Sequence, residues 1–164
     1  MSAGDYVSVQ VTGLKELNDA LAHLPQNIGR NVLRGATSAG AAVIRKEARM
    51  RAPVYTGDVA KGHPPPGTLK RAIYQKQIRE LSGVLRQTFY VSVRRGGLRK
   101  DAKGRSLDAY YWHMVEFGTA KMAARPFVRP AFEATKLAAV EAIRRYMAER
   151  IPREVEKLKK GPRP

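Results

Sequence analysis

The chain has 164 residues, no cysteine, and 31 Lys and Arg against 14 Asp and Glu, for a formal charge of +17. That length predicts one domain over 1–164 with a core large enough to need no staple, and the missing cysteines exclude a disulfide framework, a thiolate metal site and a cysteine nucleophile. No stretch reads as a secretion signal or approaches the ~20 apolar residues of a membrane span, and no membrane is expected among the partners; a charge this positive favours acidic company in general, such as a nucleic acid, an acidic protein surface or anionic lipid.

Val7, Val9 and Val11 alternate with Ser8 and Gln10, the period of a strand with one buried face. Leu14, Leu17, Leu21 and Leu24 then recur at helical spacing, up to Pro25. A second, longer helix is predicted from about Asn27 to Met50. Ile28, Val32, Ala36, Ala39 and Val43 line one face, and small residues from Gly35 to Ala42 allow a neighbour to approach closely. Basic residues at 45–46 and 49–51 complement the negative end of its dipole.

Pro53, Gly57, Gly62, Pro64–Pro66 and Gly67 break regular structure, so residues of about 58–68 form a stiff surface loop. Two strands are predicted at about 73–79 and 84–93, joined as an antiparallel hairpin through Glu80-Leu81-Ser82-Gly83. A second loop comes next, at about 94–106. It is rich in glycine and carries Arg94, Arg95, Arg99, Lys100, Lys103 and Arg105, without the spacing of a phosphate-binding Gly-Lys-Ser/Thr motif.

Residues 110–132, YYWHMVEFGTAKMAARPFVRPAF, hold the only Trp and three of the four Phe. His113 and Glu116 suggest an acid–base pair, but there is no nucleophile motif, and none of the three histidines has a metal-ligand spacing. No catalytic, cofactor or metal site is therefore assigned. Glu116 is better read as a turn carboxylate that accepts backbone N–H groups or pairs with an arginine. Gly118 permits a left-handed turn, and Thr119 can cap the residues after it. Pro126 and Pro130 then mark the entry to a last long helix, where a proline in the first turn is tolerated. Its buried stripe is predicted as Leu137, Val140, Ile143, Met147 and Ile151, with Glu141 and Arg145 paired on the polar side. Pro152 should kink or stop it, and residues 160–164 fray. The fold class is α+β: a small, mostly antiparallel sheet packed by a long central helix and a long C-terminal helix, with two extended loops.

Two motifs carry a resemblance. Ala52-Pro53-Val54-Tyr55-Thr56-Gly57, followed by Leu69-Lys70-Arg71-Ala72-Ile73, lies behind a long basic helix. Val115-Glu116-Phe117-Gly118-Thr119 is followed by Arg125-Pro126-Phe127-Val128-Arg129-Pro130-Ala131. In this order they resemble a tail-component family of long-tailed double-stranded DNA phages, over about Val7 to Met147. An inserted loop at 58–68 separates Thr-Gly from the Leu, and Ala72 stands where the family has Ser. The resemblance implies a structural virion protein of the neck, variously termed tail completion, head–tail joining or minor tail protein. It would form an oligomeric ring, commonly six-fold, between the head connector and the tail tube or terminator, with no cofactor and no reaction.

On that reading Tyr111, Trp112, Glu116, Phe117, Arg125, Phe127 and Arg129 are interface candidates, with Phe117 and Phe127 equally eligible as core. The basic loop would face an acidic neighbour or, without reading sequence, the packaged DNA. The alternatives are a tail terminator or a stand-alone basic nucleic-acid-binding protein.

Overall fold

The computed structural model describes residues 26–56, 64–95 and 108–159. The predicted strand at 7–11, the helix at 14–24 and most of both loops lie outside these residues. The elements are α1 (Gln26–Arg51), α2 (Thr68–Ala72), β1 (Ile73–Gln77), β2 (Phe89–Val93), α3 (Trp112–Phe117) and α4 (Val128–Lys159). This is the α+β arrangement expected: one small antiparallel sheet with α1 packed on it, α4 packed on α1, and the head of α4 in the same core as the strands.

The small residues of α1 explain how closely the long helices meet. A side chain built at Gly40 would lie 2.8 Å from Ile143 Cδ1 and 3.1 Å from the Ala139 carbonyl oxygen, and Gly35 sits under the Tyr146 ring. Val32, Ala36 and Met147 close one apolar cluster of this pair, with Ile143, Tyr146, Ile151 and Val155 packed against it. The close approach at Gly40 also sets which face of α4 turns inward. Ala131 and Ala139 are buried and Leu137 is 79% exposed, so Leu137 does not belong to the buried stripe. The inward face of α4 is made by Ala139, Ile143 and Met147, and Leu137 lies round the helix from them, toward solvent.

Nor does Pro152 end α4, which runs through it as one 32-residue helix. A proline ring already holds a helical φ. What it removes is one backbone hydrogen bond, at an exposed position where water replaces the donor. Ile151 and Val155 pack on the α1 side, and Arg150 bonds Glu154 at 3.0 Å across the proline. Packing and ion pairs on either flank carry the helix past it. Within α4, Lys136 pairs with Glu133, and Arg150 and Lys157 pair with Glu154; Glu141 and Arg145 form no such pair among the described residues.

The sheet registers Ile73 with Val93, Gln75 with Val91 and Gln77 with Phe89. Ile73 and Val93 are buried in the larger cluster, with Ala48, Ala52, Leu69, Ala72, Ala109, Phe127 and Ala131. On the other face Tyr74 and Tyr90 meet edge to face, hydroxyl to hydroxyl at 3.1 Å. That bond, together with burial, raises the Tyr74 phenol pKa. The second strand is shorter than predicted because hydroxyls take over its early ladder. Ser82 Oγ donates to the Ile78 carbonyl at 2.6 Å and accepts from Thr88 N–H at 3.1 Å, which leaves Val84 and Leu85 in an exposed connection. Two polar ties fix the sheet to α1. The Arg49 guanidinium donates to the Ile73 carbonyl at 2.7 and 3.1 Å, and Gln75 Nε2 donates to Ser38 at 2.9 and 3.0 Å.

Candidate partner-binding surface

The segment from 108 to 132 is built around one buried carboxylate. Glu116, 6% exposed, lies in the last turn of the short helix α3. Its Oε2 accepts the N–H groups of Phe127 at 2.7 Å and Val128 at 3.1 Å, and its Oε1 accepts that of Arg129 at 3.1 Å. A helix leaves its first N–H groups without intrahelical acceptors. In α4 every one of them is accounted for. Phe127, Val128 and Arg129 give theirs to Glu116, Pro130 has none to give, and Ala131 bonds the Phe127 carbonyl at 3.3 Å. A negative charge at the positive end of a 32-residue dipole adds to the three charge-assisted bonds.

The chain reverses between α3 and α4 within a tight turn. Gly118 adopts φ 77°, and a Cβ there would stand 2.8 Å from Ala124 N and 2.9 Å from the Met122 carbonyl oxygen. Both conformation and space therefore require glycine. Thr119 N–H bonds Met122 O at 2.9 Å, Met122 N–H bonds Thr119 O at 3.2 Å, and Thr119 Oγ1 accepts Lys121 N–H at 3.3 Å. Arg125 N–H returns to the Val115 carbonyl at 2.8 Å. The turn is pinned along its length.

The interface candidates divide accordingly. Phe127 is fully buried, a core residue at the head of α4, and Glu116 is an internal cap, so neither presents a face to a partner. Phe117, one residue past Glu116, points the other way and is 75% exposed. Arg125 and Arg129 are exposed, as are Thr119 and Pro126, while Pro130 is half-buried in the first turn of α4. Tyr111 and Trp112 are half-buried against the larger core. Burial pushes the Tyr111 phenol pKa up, against the opposing pull of the Leu69 backbone N–H and the Arg71 charge. The Trp112 ring meets His113 edge on, and its indole nitrogen, though buried, has no acceptor among the described residues. His113 is exposed.

Of the basic loop, Arg94 and Arg95 are described. Arg94 is half-buried, with its guanidinium 5.4 Å over the Tyr74 ring, and Arg95 is exposed. Arg99, Lys100, Lys103 and Arg105 lie outside the described residues.

Beside the turn lies an apolar groove of about 490 Å³, which sequence reading missed. Leu69 and Val115 form its floor; Pro53, Tyr55, Pro64–Gly67, Tyr110, Tyr111, Met114 and Met122 form its walls, with Arg125 at the rim. Its walls come from three separate stretches, and the element that joins them is α2. Thr68 is fully buried, its N–H and hydroxyl bonding the Pro65 carbonyl at 3.1 and 2.6 Å, and Gly67 takes φ 77° ahead of it. Gly-Thr after three prolines is the signal that was available.

No cluster of His, Cys, Asp or Glu able to hold a metal occurs among the described residues, and none of their helices is long and apolar enough to cross a membrane. An α+β module with an exposed aromatic face is a class that hosts many roles, and the family narrows it. The model of the family described as "Bacteriophage HK97-gp10, putative tail-component" matches residues 15–118, and the chain belongs to that family. It is a phage tail component. The match takes in the long basic helix, both strands and the turn up to Gly118, and stops before the Arg125–Ala131 motif and α4. Among curated proteins and among solved structures nothing matches.

Proposed function

We propose that this tail component is a structural subunit of the phage neck, a tail-completion or head–tail joining protein. It packs into a ring, six-fold to match the tail, between the head connector and the tail tube or its terminator. The observation that carries the reading is the outward face of the pinned turn. Phe117 is an aromatic side chain 75% exposed on that corner. Arg129, on the first turn of α4, is also exposed and has no carboxylate partner among the described residues. Closed rings need such heterologous patches, and aromatic and Arg side chains anchor them. The protein would be made in the host cytoplasm and end in the virion, with no reaction assigned to His113 or Glu116 and no cofactor. Cryo-electron microscopy of the parent particle tests this. Density for the chain at the head–tail junction is expected, and its location in the tail shaft, baseplate or capsid shell overturns the reading.

A second reading, a nucleic-acid-binding protein, is favoured by the +17 charge and by a cleft of about 340 Å³ lined by Arg30, Asn31, Arg34, Gln77 and Arg79. Duplex binding that survives moderate salt and weakens steeply as salt rises would support it.

A further inference from the structure

We infer that the groove between the Pro64–Gly67 turn and α3 is a docking site for an extended acidic segment of another protein, bearing apolar side chains between its carboxylates. The groove has a volume of about 490 Å³, and its walls are mostly Pro, Tyr and Met. Such walls hold extended peptides by stacking and by adaptable apolar contact. Its rim is cationic. Arg125 lines it, and the Arg71 guanidinium lies 3.3 Å from where a Cβ of Gly67 would stand, bonded to Thr68 Oγ1 at 3.3 Å. Neither arginine pairs with a carboxylate among the described residues.

Among the described residues near this rim, Glu116 is committed to the α4 entry and Asp108 is buried. An apolar floor under an uncompensated positive rim selects a ligand that is both apolar and acidic.

A second copy of the chain is a poor donor of such a segment. Its acids are scattered, and no stretch of seven residues holds three of them. A duplex would satisfy the rim but leaves the apolar floor without a partner, since phosphate contacts need no such floor. The occupant is therefore a different, acidic protein. This inference rests on the groove and its charge, not on the position in the neck, so either can fail without the other.

The test uses the full chain and a labelled peptide of about twelve residues alternating Asp with Leu and Phe, followed by anisotropy at about 0.15 M salt. Binding should weaken about tenfold when Asn replaces Asp, in the Arg71→Ala/Arg125→Ala variant, and in Met114→Asp. The matched loss of charge in Arg30→Ala/Arg34→Ala should leave it unchanged. No binding, equal binding of the Asn peptide, or equal weakening by the Arg30/Arg34 variant overturns the inference. So does displacement of the peptide by duplex DNA that depends on Arg71 and Arg125. Self-association abolished by Met114→Asp, seen by analytical ultracentrifugation, would give the groove to a second copy and overturn it as well.

Discussion

The two ends of α4 each contain a proline, and they treat it in opposite ways. At the entry, Pro130 falls where a backbone N–H would have had no acceptor, and the three donors before it are all taken by Glu116. Near the other end, Pro152 interrupts an established ladder and is tolerated because its surroundings are exposed and its flanks are packed and ion-paired. One end is specified by an irreplaceable buried group, the other held by several replaceable ones. The lesson is that the cost of a residue depends on which hydrogen bond it deletes, not on its helix propensity.

The contrast can be broken most directly at Glu116. Replacing it with Ala strands three N–H groups, at least one of them buried, and should cost about 3 kcal/mol. Thermal unfolding should fall by about 6–12 °C for a chain this size. Glu116→Gln keeps an acceptor but loses the charge and should fall between. A loss under about 0.5 kcal/mol for the Ala variant, the range of an ordinary surface change, would show that the entry is not specified there.

Gly118→Ala should come next, at about 2 kcal/mol, from a strained φ and a Cβ pressed on Ala124 and Met122 backbone. Urea denaturation measures it, and wild-type stability would mean that the turn relaxes. At the far end the sign reverses. Pro152→Ala restores one helical bond and should stabilise by about 1 kcal/mol, read as slower amide exchange at residues 148–156.

Smallest for the fold is Phe117→Ser, within about 0.5 kcal/mol because the ring is already in water. On the neck role proposed above, its effect should appear only in assembly, as heads and tails that fail to join when the variant is the sole source of the protein.

Much of the scaffold was legible in the sequence. The run of small residues in α1 announced a close neighbour, and the alternation at Phe89, Val91 and Val93 announced a strand. Glu-Phe-Gly-Thr ahead of Pro-Phe-Val-Arg-Pro announced a carboxylate and a glycine at a turn before a helix. What stayed hidden depended on contacts between distant segments. Phe117 and Phe127 have similar surroundings in the sequence; only the reversal at Gly118 sends one into water and the other into the core. Leu137 fits an apolar period that the Gly40–Ala139 approach then rotates out of register. The ties from Gln75 to Ser38 and from Arg49 to Ile73 join partners with no local signal at all. The groove escaped notice because its walls meet only in three dimensions.

The Glu116 bonds have a mechanical consequence. A displacement of α3 must either carry the amino end of α4 with it or break three charge-assisted bonds together. The outward ring of Phe117 and a rod about 48 Å long are thereby joined at a stiff elbow. A push on the one is delivered along the other as a tilt, toward Ile151 and Val155 at its far end.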